Sequence, residues 1–107
     1  MDSVGHLWGW NSDKQQVALK TLDNNIELIV NDFNSEFADY ERFYIFTADH
    51  GGEGLDHSSG CENCRTIPLI VNSQNTDIIY ILSENQYDIY DVACVALDLM
   101  GVEGGKG

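Results

Sequence analysis

The chain has three histidines, and each lies next to an aspartate or one helical turn from one. Asp2 and His6 are four residues apart, so in a helical or turn-like segment both would project from one face and could hold the same cation. Asp49 and His50 are adjacent, and His57 follows seven residues after His50. Carboxylates combined with imidazoles suit zinc or manganese, so these five residues predict a mixed metal site.

The Asp49-His50 pair follows a segment typical of a buried strand. Residues 42–48 are aromatic and β-branched and do not alternate between polar and apolar types. The carboxyl end of such a strand is the usual ligand position in open α/β sheets. Gly51 and Gly52 would let the backbone turn sharply beside an ion, and the polar loop 49–65 would let His57 fold back. A lone Asp-His pair is more often a surface hydrogen bond, so the prediction rests on the whole set.

The elements that must position these residues alternate between helix and strand. An apolar stripe predicts a long helix over Asp13–Phe37, with Ser12 or Asp13 as its cap. Further patterns predict strands at 42–48, 67–71 and 78–82 and a helix over 88–100 that ends at Gly101. This order favours an α/β layered fold with helices packed on a mostly parallel sheet.

Bulk composition limits the classes of function. With 107 residues and 43% hydrophobic content the chain is expected to form one domain over residues 1–103, followed by a flexible tail at 104–107. Eighteen acidic and five basic residues give a net charge of -13, which opposes binding to a nucleic-acid backbone or an anionic membrane surface. No apolar run approaches the roughly 20 residues of a membrane span.

The cysteines and tryptophans leave alternatives open. Cys61 and Cys64, with His57 four residues before them, could form a zinc knuckle or a redox pair, or share no task. An odd number of cysteines and the lack of a leader favour a reducing compartment. Cys94 is expected in the core. Trp8 and Trp10 could line a pocket beside His6, although packing against the following helix is the favoured interpretation.

Four ordered motifs resemble those of the alkaline phosphatase superfamily. They are MDSVGH at residues 1–6, FTADHGG at 46–52, IPLI at 67–70, and YDIYDV at 87–92. The superfamily includes type I phosphodiesterases and nucleotide pyrophosphatases, cofactor-independent phosphoglycerate mutases, phosphopentomutases and sulfatases. The resemblance implies a partial alkaline-phosphatase-like fold and a small anionic phosphate-ester substrate.

The resemblance also implies two divalent ions, zinc or manganese. One would be held by Asp2, His6 and His57, and the other by Asp49 and His50. In the superfamily a further aspartate and a Ser or Thr nucleophile come from an N-terminal motif, for which residues 1–107 have no counterpart. The expectation is therefore a C-terminal, metal-binding part that needs an N-terminal part, contains no catalytic nucleophile and is inactive alone.

The branch of the superfamily is indicated by the residue after Asp-His-Gly. Gly52 occupies the place where phosphoglycerate mutases usually have Asn, which favours a metal-dependent phosphodiesterase or nucleotide pyrophosphatase. The alternatives are a phosphoglycerate mutase-like or phosphopentomutase-like member, or a non-catalytic metal-binding remnant.

Overall fold

The computed structural model describes residues 1–102, which form two compact units. The first unit consists of residues 1–40 and 48–68, and the second of residues 41–47 and 69–102. The predicted tail at 104–107 lies outside the described residues. In the described part of the chain, no helix is both long and apolar enough to cross a membrane.

The first unit is helical. Its helices are α1 (Asp2–Trp8), α2 (Asp13–Glu36) and α3 (Glu62–Arg65). The prediction for α2 is confirmed to within one residue, and the Ser12 hydroxyl caps it by accepting a hydrogen bond from the Gln15 N–H at 3.2 Å. Between α1 and α2 the chain turns through Gly9 (φ 95°) and Asn11 (φ 62°), two residue types that tolerate the left-handed region.

The second unit contains strands β1 (Phe43–Thr47) and β2 (Leu69–Ser73). They pair antiparallel, with Thr47 opposite Leu69 and Ile45 opposite Val71. Among the described residues this two-stranded sheet replaces the predicted mostly parallel one, because the chain leaves the end of β1 and re-enters at the adjacent start of β2. The second strand begins two residues later than predicted, after Pro68, which has no N–H to donate.

The predicted strand at residues 78–82 is wrong, because this segment lies in helix α4 (Thr76–Ser83). Five consecutive apolar residues satisfy both a buried strand and a short helix, so periodicity alone does not separate them. The local signal that decides is the cap. The Asn75 side chain accepts a hydrogen bond from the Ile78 N–H at 3.3 Å, and Asp77 occupies the first turn.

Helix α5 (Asp91–Leu99) starts three residues later than predicted and ends one residue earlier, with Met100 as its C-cap. Asp88 lies outside the helix, and its N–H donates to the Asp91 carboxylate at 2.8 Å. At the other end Gly101 (φ 70°) donates to the Asp98 carbonyl and Val102 donates to the Leu97 carbonyl, each at 3.0 Å. This pair of bonds is a Schellman motif.

Little of the apolar surface is buried. Among the described residues the buried hydrophobic side chains are Cys64 and Val95, each 4% exposed. Val95 lies on α5, and the neighbouring Cys94, which is expected in the core, is half-buried. The packing of helix α2 on the sheet stays a prediction.

The Schellman motif generates a stability prediction. Gly101→Ala places a Cβ in the left-handed region and should lower the free energy of unfolding by about 1–2 kcal/mol. Gly101→Asn is the matched control and should lose less, because Asn tolerates this conformation. Urea denaturation followed by circular dichroism measures both. Equal stability of the Ala variant and the parent chain would contradict the assignment.

Candidate metal centre

All five predicted ligands lie in the first unit. Asp2 and His6 are one turn apart on α1, and the distance from His6 Nε2 to Asp2 Oδ1 is 3.4 Å. The spacing of four residues therefore does put both side chains on one face of a helix. Both are partly exposed, with 58% of the Asp2 side chain and 44% of the His6 side chain open to solvent, so a cation can reach them.

The loop after β1 brings the other two histidines to this face of α1. His50 Nε2 lies 3.7 Å from Asp2 Oδ1. The rings of His50 and His57 stack, with centroids 3.9 Å apart and planes 12° apart, and the rings of His6 and His57 meet edge to face at 4.8 Å. Potential ligand atoms of Asp2, His50 and His57 all lie within 4.8 Å of one another. The three histidines of the chain thus converge on one carboxylate.

Asp49 stands apart from this group. Its Oδ2 is 3.8 Å from His50 Nε2, but 89% of its side chain is exposed and its Oδ1 accepts the His50 backbone N–H at 3.0 Å. The resemblance pairs Asp49 with His50 on one ion and leaves Asp2 and His57 to the other. In the structure Asp2 is as close to His50 as Asp49 is, so one compact group includes ligands from both sets.

Backbone carbonyls orient two of the imidazoles. His50 Nδ1 lies 2.8 Å from the Gly51 carbonyl, and His6 Nδ1 lies 3.3 Å from the Leu55 carbonyl. A carbonyl can only accept, so Nδ1 is the donor in both contacts, and Nε2 is the ring nitrogen that would bind a cation. Both Nε2 atoms face Asp2 Oδ1. A hydrogen bond from the second ring nitrogen is the usual support of a metal-binding histidine.

The backbone of His57 is fixed by its neighbour Asp56. Asp56 Oδ1 accepts from the His57 N–H at 2.8 Å, the Ser58 N–H at 3.0 Å and the Ser58 hydroxyl at 2.8 Å. These bonds, first among them the one from the Ser58 N–H, lower the pKa of the Asp56 carboxyl. This role of Asp56 is not among the sequence predictions, although Asp-His-Ser is a recognisable Asx-turn pattern.

The glycine at the His50 turn is required by a close approach. The Gly51 N–H donates to the Cys64 carbonyl at 2.9 Å, and a Cβ on Gly51 would overlap the carbonyl oxygen of Asn63. Cys61 and Cys64 are joined by a disulfide that spans α3. Neither sulfur is a free thiolate in this state, so the zinc-knuckle interpretation does not fit the structure. Segment 61–65 instead supports the turn that carries His50.

The donor set fits a divalent cation. Two ligand atoms bound tetrahedrally to zinc at about 2.1 Å lie about 3.4 Å apart. The observed separations of 3.4 and 3.7 Å around Asp2 Oδ1 are close to this value. The ligand atoms of Asp2, His50 and His57 lie within 4.8 Å of one another and would move closer together to share one ion. With neutral imidazoles the two carboxylates leave the cluster negative, which a divalent cation would offset.

Comparison with known proteins finds distant similarity to two enzymes. The chain is 32% identical over 103 residues to 2,3-bisphosphoglycerate-independent phosphoglycerate mutase from Mycoplasma mycoides subsp. mycoides SC, covering 95% of this chain and 18% of the mutase. It is 33% identical over 70 residues to GPI ethanolamine phosphate transferase 1 from Saccharomyces cerevisiae, covering 64% of this chain and 8% of the transferase. No protein-family model and no solved structure matches.

The chain thus spans less than a fifth of the length of either relative. The names of both enzymes contain a phosphate-bearing group, ethanolamine phosphate in one and phosphoglycerate in the other. Cofactor-independent phosphoglycerate mutases are among the superfamily members that the motifs resemble. The motifs and the similarity to the mutase therefore both support a distant relation to the alkaline phosphatase superfamily.

The hydrogen bonds around Asp56 generate a titration prediction. The Asp56 pKa should lie below its ordinary value of 3.8 and should rise towards that value in Ser58→Ala, because the variant removes the hydroxyl donor and keeps the N–H donor. A lowered pKa stabilises the loop above pH 3.8, and this stabilisation is lost as the pH falls through the folded-state pKa. Carboxyl-carbon NMR measures the titration.

Ser59→Ala is the matched control. The Ser59 hydroxyl lies 3.4 Å from the Cys64 sulfur, so its removal should leave the Asp56 titration unchanged. Equal shifts in both variants would contradict the assigned hydrogen bonds.

Proposed function

We propose that this chain is the metal-binding portion of a divalent-metal-dependent enzyme of the alkaline phosphatase superfamily that acts on phosphate esters, with hydrolysis of phosphodiesters as the favoured reaction. The observation that carries the proposal is the convergence of Asp2 with His50 and His57, from segments distant in sequence, within 4.8 Å. The similarity to two enzymes with phosphate-bearing groups in their names supports the class of substrate.

The chain's own residues would bind and orient the ions. Asp2, His6, His50 and His57 would supply the close ligand set, with Asp49 at its exposed edge. Zinc or manganese bound there would polarise a phosphoryl oxygen and stabilise charge on the attacking and leaving oxygens. In a chain with a net charge of -13 an anionic ester is otherwise repelled, so local cations would also provide the attraction.

A phosphoglycerate mutase-like activity is the second candidate. The similarity to the Mycoplasma mutase extends over 95% of this chain, which is a specific observation in its favour. Gly52 at the position where such mutases usually have Asn favours the phosphodiesterase. Both candidates place the same demand on the residues described above, namely a divalent cation held by carboxylates and imidazoles, so metal binding is the property to measure first.

We expect the chain to bind Zn²⁺ or Mn²⁺. In His57→Ala the metal affinity should fall at least about 100-fold, because losing a ligand should cost more than the roughly 10–100-fold loss typical of outer-shell partners. Asp2→Asn and His50→Ala should behave alike. Isothermal titration calorimetry on metal-free protein measures the affinities.

The matched control is the double variant Cys61→Ala with Cys64→Ala. It removes the disulfide and leaves the carboxylate and imidazole ligands in place, so zinc binding should persist. Zinc affinity that is lost in the double variant but unchanged in His6→Ala and His57→Ala would replace this proposal with a cysteine site.

The 107-residue chain alone should not hydrolyse bis-nitrophenyl phosphate or nitrophenyl phosphate at enzyme-like rates. Cations accelerate the reaction only when a nucleophile is positioned beside them, and no residue of this chain matches the superfamily's nucleophile motif. The hydroxyls of Ser58 and Ser59 bond to Asp56 and Cys64. Saturable turnover with added Zn²⁺ or Mn²⁺ that disappears in Asp49→Asn would show that the chain is a complete enzyme.

A further inference from the structure

The indole of Trp10 lies among the three imidazoles. Its ring centroid is 4.9 Å from that of His6 in an edge-to-face arrangement, 5.7 Å from that of His57 and 6.4 Å from that of His50. All three distances fall in the range of favourable aromatic pairs. One side chain therefore contacts every histidine of the chain.

Two glycines make room for this indole. A Cβ on Gly5 would lie 2.7 Å from Trp10 Cε2, and a Cβ on Gly52 would overlap the same ring. Gly5 is on α1 beside His6, and Gly52 follows the His50 turn. The ring therefore lies between the two segments that supply the ligands. A larger residue in place of either glycine would collide with it.

The backbone also fixes Trp10. Its N–H donates to the Gly54 carbonyl at 2.7 Å. Helix α1 ends at Trp8, and the N–H of its C-cap, Gly9, donates to the Gly5 carbonyl at 2.8 Å. The residue after it, Asn11, has a positive φ of 62°, which turns the chain away towards α2. Trp10 is thus held at the site by main-chain bonds that do not involve the imidazoles.

We infer that Trp10 is a positioning residue of the metal centre, acting as an apolar wall that aligns His6, His50 and His57 for one cation. The inference rests on the proposed metal site and adds a residue that neither binds the ion nor touches the substrate. An indole face cannot ligate a metal, but it limits imidazole rotation and water access, and such outer-shell support tunes metal affinity.

Trp8 provides a matched control two residues away. It is 60% exposed, and its ring lies 5.6 Å from the Lys14 ammonium nitrogen. Replacing Trp8 removes the same type of side chain from the same unit, so an effect common to both tryptophans would report general destabilisation.

The test is a Co²⁺ and Zn²⁺ titration of the full chain and its variants. Calorimetry gives the affinity, and the visible absorption of bound Co²⁺ reports the arrangement of its ligands. Trp10→Ala should bind about 10–100-fold more weakly and change the cobalt spectrum. Trp10→Phe, which keeps an aromatic wall, should restore the spectrum and stay within about threefold of the parent, as should Trp8→Ala.

A second measurement does not depend on the folding of Trp10→Ala. In Trp8→Phe the only indole left is Trp10, so its fluorescence should change on Zn²⁺ addition and saturate at the affinity given by calorimetry. Unchanged emission while calorimetry shows binding would overturn the inference.

The remaining outcomes separate the inference from the proposed function. Parent-like affinity and an unchanged cobalt spectrum in Trp10→Ala, or a Trp10→Phe protein as weak as Trp10→Ala, overturn the positioning role and leave the metal site standing. A parent chain that binds neither Zn²⁺ nor Co²⁺ overturns the proposed function, and the inference falls with it.

Discussion

The approach of α1 to the loop that follows β1 is the constraint on which the candidate site depends. Asp2 and His6 lie on α1, whereas His50 and His57 lie in the loop. Their closeness is maintained by side-chain and main-chain contacts between α1, the turn after it and the loop. If the two segments separated by a few ångströms, Asp2 would no longer lie beside His50 and His57.

Small residues make this approach possible. Gly5 and Gly52 face the Trp10 indole, and Gly51 faces the carbonyl of Asn63, so three glycines occupy positions where a Cβ would collide. The glycine pair after His50 thus has two different packing roles, one towards the tryptophan and one towards the disulfide-spanned segment. Close backbone approach, more than conformational freedom, explains these residues, since neither Gly51 nor Gly52 has a positive φ.

The local electrostatics and the overall charge of the chain act together. A net charge of -13 gives the molecule a field that attracts cations and repels anions. In the site the carboxylate of Asp2 meets the Nε2 atoms of His6 and His50, whose Nδ1 atoms face carbonyls. Such an arrangement fits a divalent ion, and metal binding there would stabilise the folded unit, because the unfolded chain offers no comparable ligand set.

The sequence by itself determined the long helix α2, strand β1, the Gly101 end of α5 and the identity of the candidate ligands. Each of these follows from local information: an apolar stripe of helical period, a short β-branched run, a glycine after a helical pattern, and Asp and His residues that are adjacent or one helical turn apart. Only the tertiary structure decided the antiparallel partner of β1 and the grouping of Asp2 with His50 and His57. These depend on which distant segments meet, and a local pattern of residues is consistent with several such meetings, so packing between segments had to choose among them.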